Sequence, residues 1–463
     1  MQPHRFFIAT ALIFGLTYVC IVPPFQAPDE FNHFYRSWQI ADGGWVGKKT
    51  SDNRLGDSLP ISLLIVSKPF AALPFHFEER IKTSTIFSYL SVPTKASDKT
   101  FIDFTNTAVY APPAYLPQSL SISVCKHFEL HPLSIFYLSR LFTFLVWLII
   151  IYTSIKIAPI QKWLLVFLAL LPSSLFINTS LNADVITNAF SFLSISLFLK
   201  MFFEKDKILK LEISAFIFCT SLISLNKMAY FPLLFLFFLI PKKQFSLPLE
   251  KHFYGFLLLF CHVFVIIGWS KVIQPLYIRF EEYHSAFRIG QQLNEGVDPS
   301  AQLSFIIHNP LTFSKILFFS FIQTLPHTFI HYIGKFGWEK NYLPLTMILP
   351  LFLVLILRGI SETQIPYFRF STKQKGLIMT IGLLMCICLA TVMYLIWCPV
   401  GSSFIENLSG KYFIPIFPLF FICLPTFDLK KYRFFTTEKW TAAWLWLTLI
   451  YGVWQVCERY YFD

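Results

Sequence analysis

The sequence predicts an all-α integral membrane protein, a polytopic bundle of about eleven transmembrane helices that forms one membrane domain over residues 1–463. Three observations predict this class. Of the 463 residues, 55% are hydrophobic and 14% are charged, against roughly 25% charged residues in an average soluble protein. Phe alone occurs 55 times. Apolar runs near the length that crosses about 30 Å of hydrocarbon recur along the whole chain.

Each apolar run supplies one predicted transmembrane helix, and the basic residues between the runs set the orientation. Lys and Arg cluster in alternate loops, which the positive-inside rule places in the cytoplasm. The N-terminus is therefore predicted to be cytoplasmic and the segment 458–463 external. The same clustering explains the net charge of +12 without a nucleic-acid partner. The predicted helices are 6–23, 133–155, 163–179, 185–203, 211–226, 229–240, 252–272, 341–357, 376–397, 411–425 and 440–457.

The sequence allows more than one placement in the membrane for two apolar segments. Residues 211–240 are interrupted at Asn226-Lys227, and they form either a tight pair of short helices or a re-entrant hairpin. Residues 311–333 are apolar enough to span, but a span there would place the basic loop 358–375 outside. We therefore expect interfacial or re-entrant helices in 311–333.

Two predicted outer segments are long, 25–132 and 273–340, and loops of such length normally carry function. The first opens with a predicted amphipathic helix over 28–43. Its aromatic residues recur at helical spacing on one face, which is typical of a helix lying in the membrane interface. These residues are Phe31, Phe34, Tyr35 and Trp38.

The same helix carries the candidate catalytic carboxylates, Asp29 and Glu30. Asp29, His33 and Arg36 are spaced to stack on another face. Either carboxylate is equally suited to capping the helix at the positive end of its dipole. Glu30 and His33 lie one turn apart but supply only two ligands, so we predict no metal site.

Further candidates lie at the predicted outer ends of other helices. Asp184, with Asn182 beside it, is either a functional group at the membrane edge or a cap of the fourth helix. Lys227 and Lys411 are outer cations that either snorkel to the interface or bind a lipid phosphate. Tyr110 belongs to a Pro-rich stretch, 106–117, that we interpret as a wall of a groove.

Five motifs are spread over nearly the whole chain: Pro28-Asp-Glu-x-x-His-Phe-Tyr-Arg36, Tyr110-x-Pro-x-x-Tyr-Leu-Pro-Gln118, Leu171-Pro-Ser-Ser with Asn182-x-Asp184, Gly334-x-Phe-Gly-Trp338 and Ser409-Gly-Lys-Tyr-Phe-x-Pro415. Together they resemble a family of uncharacterised bacterial membrane proteins that is similar to the GT-C superfamily of glycosyltransferases. Such enzymes transfer a sugar from a polyprenyl-phosphate carrier at the non-cytoplasmic face, and they place an acidic residue in the first outer loop. Where this chain has Lys411, relatives usually carry Arg, which unlike Lys can bind a phosphate bidentately.

The resemblance implies a GT-C-like bundle in the bacterial inner membrane with an external active site. The expected reaction moves a sugar from an undecaprenyl-type donor to an envelope glycan such as O-antigen or teichoic acid. The expected partners are the lipid-linked donor, the glycan acceptor and membrane lipid. No cofactor is implied firmly, and a divalent ion, Mg²⁺ or Mn²⁺, is left open. Cytosolic nucleotide use is disfavoured, because nucleotide-binding motifs are absent from the sequence.

Within that reaction, Asp29 is predicted to be the general base, and Glu30 either supports the catalytic residue from behind or orients the acceptor. His33 and Arg36 would hold the helix, with Tyr110, Asn182 and Asp184 as supporting residues. The carrier phosphate is predicted to contact Lys227, Lys411, Arg279 and Arg288.

Two alternatives remain at this point: a transporter or flippase of a lipid-linked glycan, and a non-catalytic partner in envelope assembly. Transporters bind their substrates near the membrane midplane and often show repeated halves. A cavity at the outer face that joins Asp29 to an apolar groove open to lipid would favour the enzyme.

Overall fold

A computed structural model describes residues 2–74, 76–95, 97–204, 207–285, 295–338, 341–361, 369–425 and 437–462. These residues are mostly helical. The α-helices are α1 (Pro3–Ile21), α2 (Glu30–Ala41), α3 (Ser62–Ser67), α4 (Thr83–Tyr89), α5 (Thr105–Ala108), α6 (Leu116–His127), α7 (Pro132–Ile157), α8 (Lys162–Ala169), α9 (Pro172–Asn178), α10 (Asp184–Phe203), α11 (Lys210–Asn226), α12 (Leu236–Leu239), α13 (Pro248–Ile273), α14 (Pro299–His308), α15 (Pro310–Gly334), α16 (Leu345–Ser361), α17 (Thr372–Trp397), α18 (Phe417–Ile422) and α19 (Glu438–Tyr461). The strands are β1 (Lys48–Lys49), β2 (Leu55–Pro60) and β3 (Lys99–Asp103).

Within the described residues, six helical segments are long and apolar enough to cross a membrane, which supports the predicted membrane class. The predicted number of about eleven is not shown by these spans. The run 163–179, for example, is broken into α8 and α9 because Leu171 precedes Pro172, and a residue before proline disfavours helical backbone. The six segments are Pro3–Ile21, Pro132–Ile157, Asp184–Phe203, Leu249–Leu276, Pro310–Gly334 and Thr372–Trp397.

The segment 211–240 forms a helical hairpin. After α11, Lys227 adopts extended backbone, with φ −143° and ψ 99°, and a 3-10 helix over Met228–Phe235 returns against α11 before α12. The two ends of the hairpin meet, since the amide of Ile208 donates to the carbonyl of Gln244 at 3.0 Å. The tip of the hairpin therefore presents Lys227.

The segment 311–333 lies within one continuous helix, α15. Along α15, Ser320 Oγ accepts from the amide of Ile405, and Thr328 Oγ1 donates to the carbonyl of Leu408. Near its end, the carbonyl of Tyr332 accepts from Ser173 Oγ. The helix is long and apolar enough to span, so its predicted interfacial or re-entrant position stays a prediction.

The chain termini lie at opposite ends of the bundle. At one end the His4 ring packs edge-on against Tyr152, near the end of α7. At the other end Tyr461 Oη donates to the carbonyl of Ile21, and Arg459 donates to the carbonyl of Leu73. The end of α19 and the first long segment, 25–132, therefore share one side of the protein.

The first long segment contains a small sheet, which the predicted all-α class does not include. Strands pair antiparallel in the order β1-β2-β3, with Gly56 opposite both Lys48 and Asp103. Gly56 has to be glycine, because a Cβ there would lie 1.8 Å from the Ile102 carbonyl oxygen. Arg54 then joins the start of β2 to the end of β3, since its Nη2 donates to Asp103 Oδ2 at 2.6 Å and its Nε donates to Oδ1 at 3.3 Å.

The predicted helix 28–43 is present as α2, but its environment differs from the prediction. Phe34 and Trp38 are fully buried, and Phe34 packs edge-on against Phe136 of α7 at 5.3 Å. The aromatic face therefore packs into the protein core, not into the membrane interface. This packing fixes the start of α2, where Asp29 lies, to the helix bundle.

Candidate functional site

Two cavities meet at Asp29. The larger has a volume of about 850 Å³ and mixed polar lining, and the smaller has about 410 Å³ and mainly apolar lining. Only a few residues of the described chain line both: Asp29, Asn106, Met393, Trp397 and Tyr412. The carboxylate is thus placed where a polar and an apolar ligand would meet.

Asp29 does not cap its helix. It occupies the position before α2 with left-handed backbone, φ 62°, and its side chain makes no capping hydrogen bond. Oδ1 instead accepts from Asn106 Nδ2 at 3.0 Å, and Oδ2 lies 4.0 Å from Lys411 Nζ. The side chain is 38% exposed. Left-handed backbone in a non-glycine residue is a cost that concentrates at functional sites.

A second carboxylate, Asp184, forms an ion pair with Lys227 in the same cluster. Asp184 is the first residue of α10, and its amide donates to Asn182 Oδ1 at 2.8 Å. The residue before α10 is Ala183 and the helix start has no side-chain capping bond, so Asp184 does not act as a helix cap. Lys227 is 13% exposed, which does not fit a side chain snorkelling to the interface.

The ring of Tyr412 is shared by the two lysines. Lys227 Nζ lies 4.5 Å and Lys411 Nζ 5.2 Å from its centroid. A cation–π contact of this kind attracts an ammonium group electrostatically, so its N–H groups can still donate hydrogen bonds to other partners. Two cations and two carboxylates are thereby gathered around one ring at the junction of the cavities.

His33 lines the apolar cavity beside this cluster. Its Nδ1 lies 2.7 Å from Tyr115 Oη, and its ring stacks on Tyr110 at 6.2 Å. Burial lowers the pKa of His33 to about 3; Asp184 opposes the shift, while Lys411 and Lys227 add to it. The imidazole is therefore neutral at physiological pH, and the cluster gains no third cation.

The pKa of His33 makes folding stability depend on pH. The unfolded chain binds a proton at this histidine below about pH 6.5, whereas the folded protein does not until about pH 3. The contribution of His33 to the free energy of unfolding is therefore greatest above pH 6.5, and it falls as the pH drops from there towards 3. Thermal and denaturant unfolding should show about 2 kcal/mol less stability from this residue at pH 5 than at pH 7.

His33→Gln should remove that part of the pH dependence, and exposed His127→Gln serves as the matched control. If wild type and His33→Gln lose the same folding stability between pH 7 and pH 5, His33 is not the source of that loss.

The structure gives Glu30 a different place from the one predicted. Its side chain is fully buried, lines neither cavity, and pairs with Arg140 at 2.8 Å and 2.5 Å. Glu30 Oε1 also accepts from the amide of Leu181 at 2.9 Å. Arg140 further donates to the carbonyl of Val22 at 2.7 Å. Glu30 is therefore a structural residue that ties α2 to α7, and the predicted role in orienting the acceptor has no geometric support.

Arg36 holds neighbouring backbone in place. It is buried and donates to the carbonyls of Trp45 and Tyr110 at 2.8 and 2.9 Å. The second bond fixes the Pro-rich stretch, in which Tyr110 lines the apolar cavity as the predicted groove wall.

Arg279, a predicted phosphate ligand, lines neither cavity; it is 57% exposed and pairs with Asp298. Arg288 lies outside the described residues.

Three functional or positioning residues were missed by sequence reasoning. Asn106 opens the Pro-rich stretch 106–117, and Tyr412 directly follows Lys411 in the fifth motif, so each stood next to residues that the sequence had already singled out. Arg140 has a weaker signal: it is an arginine inside a long apolar helix, and such residues almost always have a partner.

The described residues contain no group of three or more His, Cys, Asp or Glu placed to hold a metal ion. Of the Glu30 and His33 pair, the Glu30 carboxylate is already engaged by Arg140 and by the amide of Leu181.

Comparison with known proteins gives one result. No curated protein and no solved structure matches the chain. A family model described as "Predicted membrane protein (DUF2142)" matches residues 12–420 of the 463. The match extends over nearly the whole chain, from the first helix to α18, and includes every residue of the cluster around Asp29. The chain therefore belongs to the predicted membrane protein family DUF2142.

Proposed function

We propose that this protein is a membrane glycosyltransferase that transfers a sugar from a polyprenyl-phosphate donor to a cell-envelope glycan. One observation carries the proposal: Asp29 lies at the junction of a polar and an apolar cavity, with Lys411 and Lys227 beside it. A lipid-linked sugar has this same division, an apolar chain and a polar head joined by a phosphate.

The apolar cavity suits the lipid part of the donor. Its walls come from α11, α13 and α17, and they include Trp269, Val392 and Ile396. Met228 and Ile396 line the cavity and are 48% and 46% exposed, as an opening of the cavity to the apolar surface of the bundle would require. A polyprenyl chain can enter there without crossing water.

The two lysines suit the phosphate. In glycosyl transfer the carrier phosphate is the leaving group, and it needs a cation more than an acid. Lys411 is 12% exposed and faces both Asp29 and the Tyr412 ring, so its charge acts in a partly desolvated place. Each charge-assisted contact to the phosphate would contribute about 1.5–3 kcal/mol.

Asp29 suits the acceptor. A hydroxyl is a poor nucleophile at neutral pH, so a carboxylate within hydrogen-bond reach assists as the glycosidic bond forms. Asn106 occupies one lone pair of Oδ1 and leaves further acceptor sites of the carboxylate for the hydroxyl.

The position of the cluster favours an enzyme over a transporter. Asp184 starts α10, Lys227 follows the end of α11, and Trp397 ends α17. The polar groups thus lie at the ends of helices, whereas secondary transporters bind near the membrane midplane.

Removing Lys227 should weaken use of the donor by about ten- to a hundred-fold in KM, with less change in kcat. Because Lys227→Ala would also leave Asp184 buried without its ion-pair partner, the informative variant is the double change Lys227→Met with Asp184→Asn. Steady-state kinetics with a purified lipid-linked donor measures the effect. The exposed Lys315→Met on α15 is the control, and an unchanged KM in the double variant would remove Lys227 from the donor site.

The proposed orientation places the cluster at the outer face of a bacterial inner membrane. Reporter fusions should show a cytoplasmic N-terminus and an external C-terminus. A cytoplasmic signal at the C-terminus would contradict this orientation.

The activity itself is tested in cells and with the pure protein. Deletion should change the mass and NMR spectrum of one envelope polysaccharide, and the purified protein should restore the missing sugar from a polyprenyl-phosphate donor. An unchanged polysaccharide together with no transfer in the purified assay would refute the proposal.

A further inference from the structure

The larger cavity carries aromatic and amide side chains beyond the charged cluster. Trp338, Asn32 and Asn407 line this cavity and not the apolar one. Asn32 Nδ2 donates to Asn106 Oδ1 at 2.7 Å, and Asn106 donates in turn to Asp29. A chain of amides therefore leads along the cavity wall to the carboxylate.

The loop that carries Trp338 is held close to Asp29. Gly337 has φ +70°, and a Cβ there would lie 2.9 Å from the carbonyl oxygen of Gln26. A larger residue at 337 would therefore clash with the segment that leads into α2, and its backbone would be strained. The ring of Trp338 is thus placed on the cavity wall by backbone contact with the residues just before Asp29.

The charges that line this cavity nearly balance. Arg54 is held by Asp103 through three hydrogen bonds between 2.6 and 3.3 Å, and Lys411 faces Asp29. Among the described residues, Lys335 is the third Lys or Arg of the lining. The lining is therefore not the strongly basic surface that a polyanionic ligand would require.

We propose that the larger cavity is the acceptor site and that it takes an uncharged oligosaccharide. The inference rests on the proposed function and adds the chemistry of the acceptor. A sugar ring has apolar faces that pack on an aromatic ring such as Trp338. Its hydroxyls both donate and accept, as do the amides of Asn32 and Asn407. The volume, about 850 Å³, suits a ligand of several rings.

Binding is tested on the full chain purified in detergent. The probes are fragments of envelope polysaccharide, separated on an anion exchanger into neutral and anionic fractions, and a mixture of short synthetic peptides. Native mass spectrometry should show the neutral fragments bound and the other two probes not bound. Trp338→Ala should weaken this binding at least ten-fold, and Trp338→Phe should recover most of it. Trp45→Ala, at a tryptophan that is 60% exposed and lines neither cavity, should bind as wild type.

The outcomes separate this inference from the proposed function. Preference for the anionic fragments or the peptides, or unchanged binding in Trp338→Ala, would overturn the acceptor site even if sugar transfer is observed. Neutral fragments that bind through Trp338 in a protein that transfers no sugar would uphold the saccharide site and refute the transferase. In an active enzyme, Trp338→Ala should raise the acceptor KM at least ten-fold and leave the donor KM unchanged.

Discussion

Asp29→Asn should lower the rate of sugar transfer by about 10²–10⁴-fold, because general-base catalysis supplies an effect of that size. The substitution is close to isosteric. Asparagine tolerates left-handed backbone as well as aspartate does, so φ 62° at position 29 adds no new strain. The amide oxygen can still accept from Asn106, which keeps the side chain in place. The variant therefore removes the charge and leaves the geometry.

The measurement is single-turnover transfer with a purified lipid-linked donor, after insertion and melting have been matched to wild type. Asp42→Asn, at the other end of α2, is the control, since its carboxylate pairs with Lys126 away from both cavities. Asp184→Asn distinguishes the effect of the second carboxylate on turnover from that of Asp29, because Asp184 forms its ion pair with Lys227. Turnover within a few-fold of wild type in Asp29→Asn would remove Asp29 from the base role.

The sequence was sufficient to select most of the cluster. Lys227 stands out because it is basic at a predicted outer tip, against the trend of the other loops, and Asp29 stands out as an acidic residue that opens the first long segment. Asp184 follows from its position at a helix end. These signals are local, and the structure brings the residues together from four separate segments of the chain.

What the sequence did not predict depends on contacts that are distant along the chain. The spacing of Asp29, His33 and Arg36 on one helix suggests that they contact one another. In the structure His33 contacts Tyr115, 82 residues away, and Arg36 contacts Tyr110, 74 residues away. The sheet was missed for a similar reason, since β2 pairs with its longer partner, β3, only after two intervening α-helices and a 3-10 helix.

The separation of Asp29 from Glu30 illustrates the same limit. Adjacent carboxylates at a helix start are equivalent by sequence, and only the approach of Arg140, 110 residues further on, distinguishes them. The left-handed backbone at position 29 then turns the two side chains to different surroundings. One becomes a cavity group and the other a buried ion pair.

Glu30→Gln should destabilise the folded protein by about 3–5 kcal/mol, which is the usual cost of removing one partner from a buried ion pair. Arg140 is 1% exposed and Glu30 fully buried, so no water replaces the lost carboxylate. The guanidinium would keep its bonds to Val22 and Pro23, but among the described residues its charge would lose its ion-pair partner. An unfolding titration in mixed micelles measures the loss.

The matched comparison is Asp42→Asn, which breaks the partly exposed pair with Lys126 and should cost about 1 kcal/mol or less. The double variant Glu30→Leu with Arg140→Met should recover part of the stability lost in Glu30→Gln, because the buried charge is then gone as well. Recovery will be incomplete, since the amide of Leu181 and the carbonyl of Val22 lose their partners. If Glu30→Gln melts like wild type but fails to transfer sugar, Glu30 acts in catalysis and not in holding α2 to α7.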